Sequence, residues 1–250
     1  MIPAGSAGEQ DESMQIQAYE AIRTGIVYAK YAPGDKLQVK DLCADLGLGR
    51  TLVRKSLVRL RQERLVETVP QSGTYVSKIR LEAVGGTRYA RESLESQISV
   101  EACARLDARS LAELHELLAE GESARDAQDR RAFFDSDNLF HEKLYDIAGK
   151  QQVWSWLEFI SIDLQRCRWL RVQTEDLDQD AILGQHREIV RVPREEGHGR
   201  DAFPRLEPSA SSVQRICCCD QALPGLLHCK LRPESAAATD ISYMPVFSYY

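Results

Sequence analysis

No apolar run in this 250-residue sequence approaches the roughly 20 residues needed to cross a bilayer. The opening MIPAGSAGEQDES has neither the basic start nor the apolar centre of a secretory signal. The chain is therefore expected to act in the cytoplasm with no membrane partner, and residues 1–13, small and polar, are expected to be disordered. A surplus of positive charge is also lacking: the net charge is −6, which argues against indiscriminate nucleic-acid binding. Nor do the seven cysteines form a disulfide pattern. Cys43, Cys103 and Cys167 stand alone on expected helices, where they read as small buried groups in a reducing compartment. Cys217, Cys218 and Cys219 with His228 and Cys229 make a poor zinc site, because adjacent thiolates chelate a tetrahedral ion badly compared with a C-x-x-C pair. No nucleophile is set beside a general base, so the chain is not expected to be an enzyme.

What is present is unevenly distributed. Residues 14–80 hold 12 Lys and Arg against 6 Asp and Glu, a local balance of +6 that leaves −12 for the remainder. A basic module on an acidic body suits a sequence-reading DNA binder with a separate sensing or dimerising domain. With 43% hydrophobic residues, the chain has material for two modest cores.

The basic module is organised around residues 49–64, GRTLVRKSLVRLRQER. Leu52, Val53, Leu57 and Leu60 recur at helical spacing, while Arg50, Arg54, Lys55, Arg59, Arg61 and Arg64 fall on the other faces. Ahead of it, residues 41–46 read as a short helix stopped by Gly47, and residues 14–30 read as a longer one ended by a Pro-Gly turn. After it, LVETVPQSGTYVSKI alternates and breaks at residues 70–73, as two short strands around a turn do. A helix-turn-helix followed by a hairpin is a winged DNA-binding domain.

The order APGDKL, DLCADLGLGRTLVRKSLVRLRQERLV and VPQSGTYV, over residues 15–79, resembles the GntR family of bacterial transcription regulators. The resemblance implies that Arg50, Thr51 and Arg54 contact DNA, that Lys40 is a basic position at the start of the preceding helix, and that Gly73 is the wing tip. The chemistry agrees, since Arg chelates guanine O6 and N7 in the major groove, each good pair discriminating by about 1–3 kcal/mol. Lys40 and Thr51 suit phosphate oxygens. The chain departs from the family pattern at Gly49, where a Ser or Thr cap is usual, and at Lys55-Ser56, where Glu-Ala is usual.

Residues 81–88, with Gly85-Gly86, read as a linker to a second domain over residues 89–195. There Arg91, Leu94 and Glu95 match the R-x-x-L-E opening of the FadR-like, or FCD, effector-binding domain, which is all helical. Helices are expected over residues 89–108, 111–128, 130–148, 152–172 and 176–192, so the fold class is mainly α. Asp137 and His141, four residues apart on one helix face, suit chelation of one divalent cation. The resemblance makes them two metal ligands and His186 a third, for an ion such as Zn or Ni. It further implies a small carboxylate effector held at the metal beside an arginine, for which Arg91 is the candidate. His115 has no partner recognisable from the sequence and reads as a surface or packing residue.

After residue 191 the resemblance stops. Pro193, Gly197, Gly199, Pro204 and Pro208 preclude a continuous helix, and position 208 is Pro where the family has a further ligand histidine. His198 is the nearest substitute. Codons for Glu207 to Ala210 shifted by one base read Asn-His-Leu, so a frame-shifted tail is one account, and residues 196–250 are expected to be irregular. The first reading is thus a repressor that binds a palindromic operator as a homodimer and answers a carboxylate at a metal site. The alternatives are a metal-dependent hydrolase using Asp137, His141 and His186, and a regulator damaged at its C-terminus that retains only DNA binding.

Overall fold

The computed structural model describes residues 7–191. Position 208, His198 and the cysteines from Cys217 onward lie outside them. The N-terminal module runs α1 (Ala7–Val27), β1 (Lys36–Leu37), α2 (Val39–Leu46), α3 (Arg50–Gln62), β2 (Val66–Val69) and β3 (Gly73–Val76). The helical module follows as α4 (Leu81–Arg105), α5 (Ala108–Asp126), α6 (Arg130–Ile147), α7 (Gln151–Ile160), α8 (Ile162–Val172) and α9 (Gln179–Val190).

In the first module the expected apolar face of α3 is the one that packs. Leu52, Val53, Leu57 and Leu60 are buried, and α1 closes over that face with Tyr19, Ile22 and Ile26. The helix α2 ends at Gly47 with φ +65°, the left-handed stop that its glycine was expected to supply. Ser56, where alanine is usual, is buried but satisfied, bonding the Leu52 carbonyl at 3.0 Å. The hairpin of β2 and β3 is joined by β1 into a three-stranded antiparallel sheet of order β1-β3-β2, with Val69 opposite Gly73 and Lys36 opposite Tyr75.

Three expectations are corrected. The segment 7–13 is helical, as the first turns of α1, and contains no proline to interrupt it. The stretch 81–88 is also helical, forming the first two turns of α4. Two adjacent glycines cost about 1 kcal/mol each in a helix, but Val84 and Thr87 are buried, and Thr87 Oγ1 bonds the Ile160 carbonyl at 3.2 Å. Tertiary contact overrides propensity here. The helix expected over 152–172 breaks at Ser161 into α7 and α8, and Ile162, at the start of α8, enters the core of the N-terminal module. Arg59 lies off the apolar face as expected and is tied down there: its guanidinium lies 3.6 Å from the ring centroid of Tyr19 and pairs with Glu63 at 3.3 Å. The Tyr19 hydroxyl donates to Glu63 at 2.8 Å, and burial followed by that carboxylate pushes the phenol up to about 12.

In the helical module α5, α6 and α9 surround a core of Leu114, Phe133, Phe140, Leu144, Tyr145 and Leu183. Each of these three helices begins at an aspartate whose carboxylate accepts free backbone N–H groups: Asp107 from Ser110, Asp129 from Arg131 and Ala132, Asp178 from Ala181. Side-chain caps of this kind contribute about 0.5–2 kcal/mol. Asp178→Ala is therefore expected to lower unfolding free energy by about 1 kcal/mol, seen in a denaturant titration, with no change in the denaturant slope.

Candidate functional site

Two surfaces gather the residues that carry chemistry. The first is the outward side of α2, α3 and the wing. Lys40, Arg50, Thr51 and Arg54 are all exposed, on the side of the helices away from the packed leucines. The capping position Gly49 makes no side-chain bond to the helix end, so α3 starts with free N–H groups and two arginines in its first turns. At the wing Gly73 has φ +141°, so the backbone there favours glycine, while an added Cβ would meet only the flexible end of Lys36, at 2.8 Å from Cε.

The second is buried in the helical module. The helix α6 presents Asp137 and His141 one turn apart, and α9 brings His186 to meet them. One ligand atom from each lies within 4.8 Å of the others, and all three residues are buried. His186 is held by stacking on Phe140, ring centroids 4.1 Å apart at 14°, and stands across from His141 at 5.4 Å and 80°. His141 Nδ1 and His186 Nε2 are buried without a hydrogen bond; their closest carboxylate oxygens are Glu95 Oε1 at 3.6 Å and Asp137 Oδ1 at 3.4 Å.

Around this cluster the charges balance. Arg168 of α8 bonds Asp137 Oδ2 through Nη2 and Asn138 Oδ1 through Nη1, the latter at 2.8 Å. Arg91 is buried and grips Glu95 Oε1 with Nε at 2.8 Å and Nη2 at 2.6 Å. Burial alone raises the Asp137 carboxyl, but the cationic field, Arg168 foremost, holds it well below the usual carboxylate range. Burial pushes His186 down to about 4, against the pull of Asp137, so at neutral pH its ring carries a lone pair and no charge. An ionised carboxylate and a neutral imidazole with an unused nitrogen are the protonation states that a divalent ion needs. The donor set Asp, His, His fits Zn or a similar borderline cation and leaves further coordination positions for water or a ligand.

The structure thus brings Asp137, His141 and His186 together and sets Arg91 beside them, behind Glu95. It leaves His115 exposed on α5. The sequence reading passed over Glu95 and Arg168 as members of the site. For Glu95 a signal existed, since it lies one helical turn after Arg91 in R-x-x-L-E; for Arg168, in QRCRWLR, there was none.

Comparison with known proteins accounts for both surfaces. Residues 15–76 match the family of bacterial regulatory proteins of gntR type, and residues 88–196 match the FCD domain. An HTH-type transcriptional regulator in an unstable DNA locus of Streptomyces ambofaciens, itself uncharacterized, is 32% identical over 171 residues, which is 68% of this chain and 71% of that one. The HTH-type transcriptional repressor RspR of Escherichia coli K12 is 27% identical over 203 residues, 80% of this chain and 89% of its own. Among solved structures, McbR/YncC of E. coli shares the fold with a TM-score of 0.61 at 17% identity, over 86% of this chain and 95% of that one. With relatives that are regulators rather than enzymes, the metal-dependent hydrolase alternative falls away, and the chain belongs to the GntR family of bacterial transcription regulators, with a winged helix-turn-helix followed by an FCD domain.

Proposed function

We propose that this regulator represses transcription in the cytoplasm as a homodimer on a near-palindromic operator, and that a small carboxylate bound beside a divalent metal ion modulates its grip on DNA. The observation that carries the sensing half is the convergence of Asp137, His141 and His186 with two imidazole nitrogens left unbonded in the interior. Asp137 and Glu95 are balanced by Arg91 and Arg168, so a dication adds two uncompensated positive charges to a buried site. An anionic ligand restores neutrality there, and a carboxylate does so while filling an open coordination position. Arg91 and Arg168 supply the positive surroundings such an effector meets.

The DNA-reading half rests on Arg50 and Arg54 projecting from a helix whose other face is anchored, with Lys40 and Thr51 placed for phosphates and Gly73 for close backbone approach. One such helix reads one half-site, so a palindrome requires a second copy. A surface suited to that copy exists on α7, where Trp156, Phe159 and Ile160, at i, i+3 and i+4, are 62, 70 and 50% exposed. The repressing sense is taken from RspR, a repressor by name.

Three measurements test this. After purification without chelator, mass spectrometry of metals should find about one divalent ion per chain, retained by wild type and lost from Asp137→Ala and His186→Ala; a wild type free of metal that also fails to take up Zn(II) removes the sensing proposal. In a gel-shift assay at fixed salt, Arg54→Ala should weaken operator binding by the equivalent of about 1–3 kcal/mol and relax sequence preference, while Lys40→Ala weakens all sequences alike and lowers the salt slope by about one. Unchanged binding by the Arg54 variant would falsify the assignment of α3 as the reading helix. Trp156→Glu with Phe159→Glu should convert the dimer to monomer in sedimentation equilibrium, and a dimer that persists places the interface elsewhere.

A further inference from the structure

The helix α8 takes part in two contacts, of which the sensing site explains only one. At one, Arg168 holds the Asp137 carboxylate. Two residues earlier Arg166, only 2% exposed, reaches the opposite way, out of the helical module and into the exit of the wing. Its Nη2 donates to the Ser77 carbonyl at 2.6 Å, and its Nη1 lies 3.4 Å from both Ser77 Oγ and Asp163 Oδ1. The other oxygen of Asp163 accepts from Arg80 at 2.9 Å. Asp163 and Arg166 on α8 thus clamp residues 77–80, the passage from β3 into α4.

Ser77 is well placed to be read by such a clamp. Its N–H donates to the Leu65 carbonyl at 3.0 Å, and its hydroxyl donates to the Arg64 carbonyl at 2.6 Å. It therefore ties the end of the wing to the chain that leaves α3. Whatever moves Ser77 moves the wing and the C-terminal end of the reading helix together. A guanidinium in this position is also a costly choice, since a buried ion pair is often no more stabilising than apolar packing of the same volume. What the planar fork supplies that an apolar group does not is a fixed direction between two backbones.

We infer that Arg166 is a positioning residue that couples the Asp137 site to the wing: when Arg168 yields Asp137, α8 shifts and Arg166 transmits the shift to Ser77. This rests on the sensing reading above for its physiological trigger, since a metal ion on Asp137 competes with Arg168 for the same carboxylate. The coupling itself needs only the side chains described. Packed interiors respond to such exchanges by switching between discrete arrangements rather than by bending smoothly.

Hydrogen exchange of the full-length protein, followed in peptides covering residues 66–80, tests it as a double-mutant cycle. Arg168→Met, which releases Asp137 without any metal, should change exchange in the wing by about fivefold or more, the lower end of ordinary allosteric couplings. In the Arg166→Met background the same substitution should leave the wing unchanged. If Arg166→Met does not fold, the cycle is run with Arg80→Gln, which cuts the outer, half-exposed arm of the clamp, and there the effect of Arg168→Met should shrink. A wing indifferent to Arg168→Met, or effects that simply add in the double variant, overturns the inference, because an arginine that only stabilises the fold gives additivity. Zn(II) is added in a second arm. Failure of wild type to bind it sinks the metal reading, while the response to Arg168→Met continues to support the clamp.

Discussion

The carboxylate of Asp137 is a negative charge kept almost entirely from water, and the helical module is arranged around making that tolerable. A buried anion survives only among positive or donating partners, and here Arg168 from α8 bonds it, with His141 of α6 and His186 of α9 packed alongside. Each of those partners is then fixed in turn. Phe140 stacks on His186, Asn138 takes the second arm of Arg168, and Arg91 with Glu95 closes the side nearest His141. Charge neutralisation and core packing use the same residues at this site.

The two modules are joined by exchange rather than by simple contact. Ile162, at the start of α8, is buried in the core of the N-terminal module, whereas Tyr28, just past the end of α1, packs edge-on to Phe134 and Trp169 and bonds Asp135. Asp135 stands two residues before Asp137, and Arg166 two before Arg168. Two of the helices that hold the site, α6 and α8, also hold the DNA-binding module.

Most of the fold was legible because it is written in local periodicity. The apolar stripe of α3, the glycine stop after α2 and the alternation of the wing each follow from spacing within a few residues, and the pair Asp137 and His141 shares a helix face for the same reason. The features that escaped depend on groups distant in sequence. Ser161 interrupts α7 and α8 with neither proline nor glycine, where Ile162, just beyond the break, is buried in the core of the N-terminal module. Gly85 and Gly86 look like a flexible joint until the packing of Val84 and Thr87 is known. Arg168 lies among other arginines with nothing to single it out, and the contact of Arg59 with Tyr19 depends on a residue from a different helix.

The continuity of α4 has a consequence for how such a protein changes over time. Because one unbroken helix runs from the wing exit to Arg91 and Glu95, inserting or deleting a single residue in its first two turns rotates everything on one side by about 100° about the helix axis. Surface loops absorb length changes gradually, but this strut is geared like a screw. Variants that alter the distance between reading head and sensor are confined to whole numbers of turns, near seven residues for two, or else must break the helix and give up the fixed phase between them.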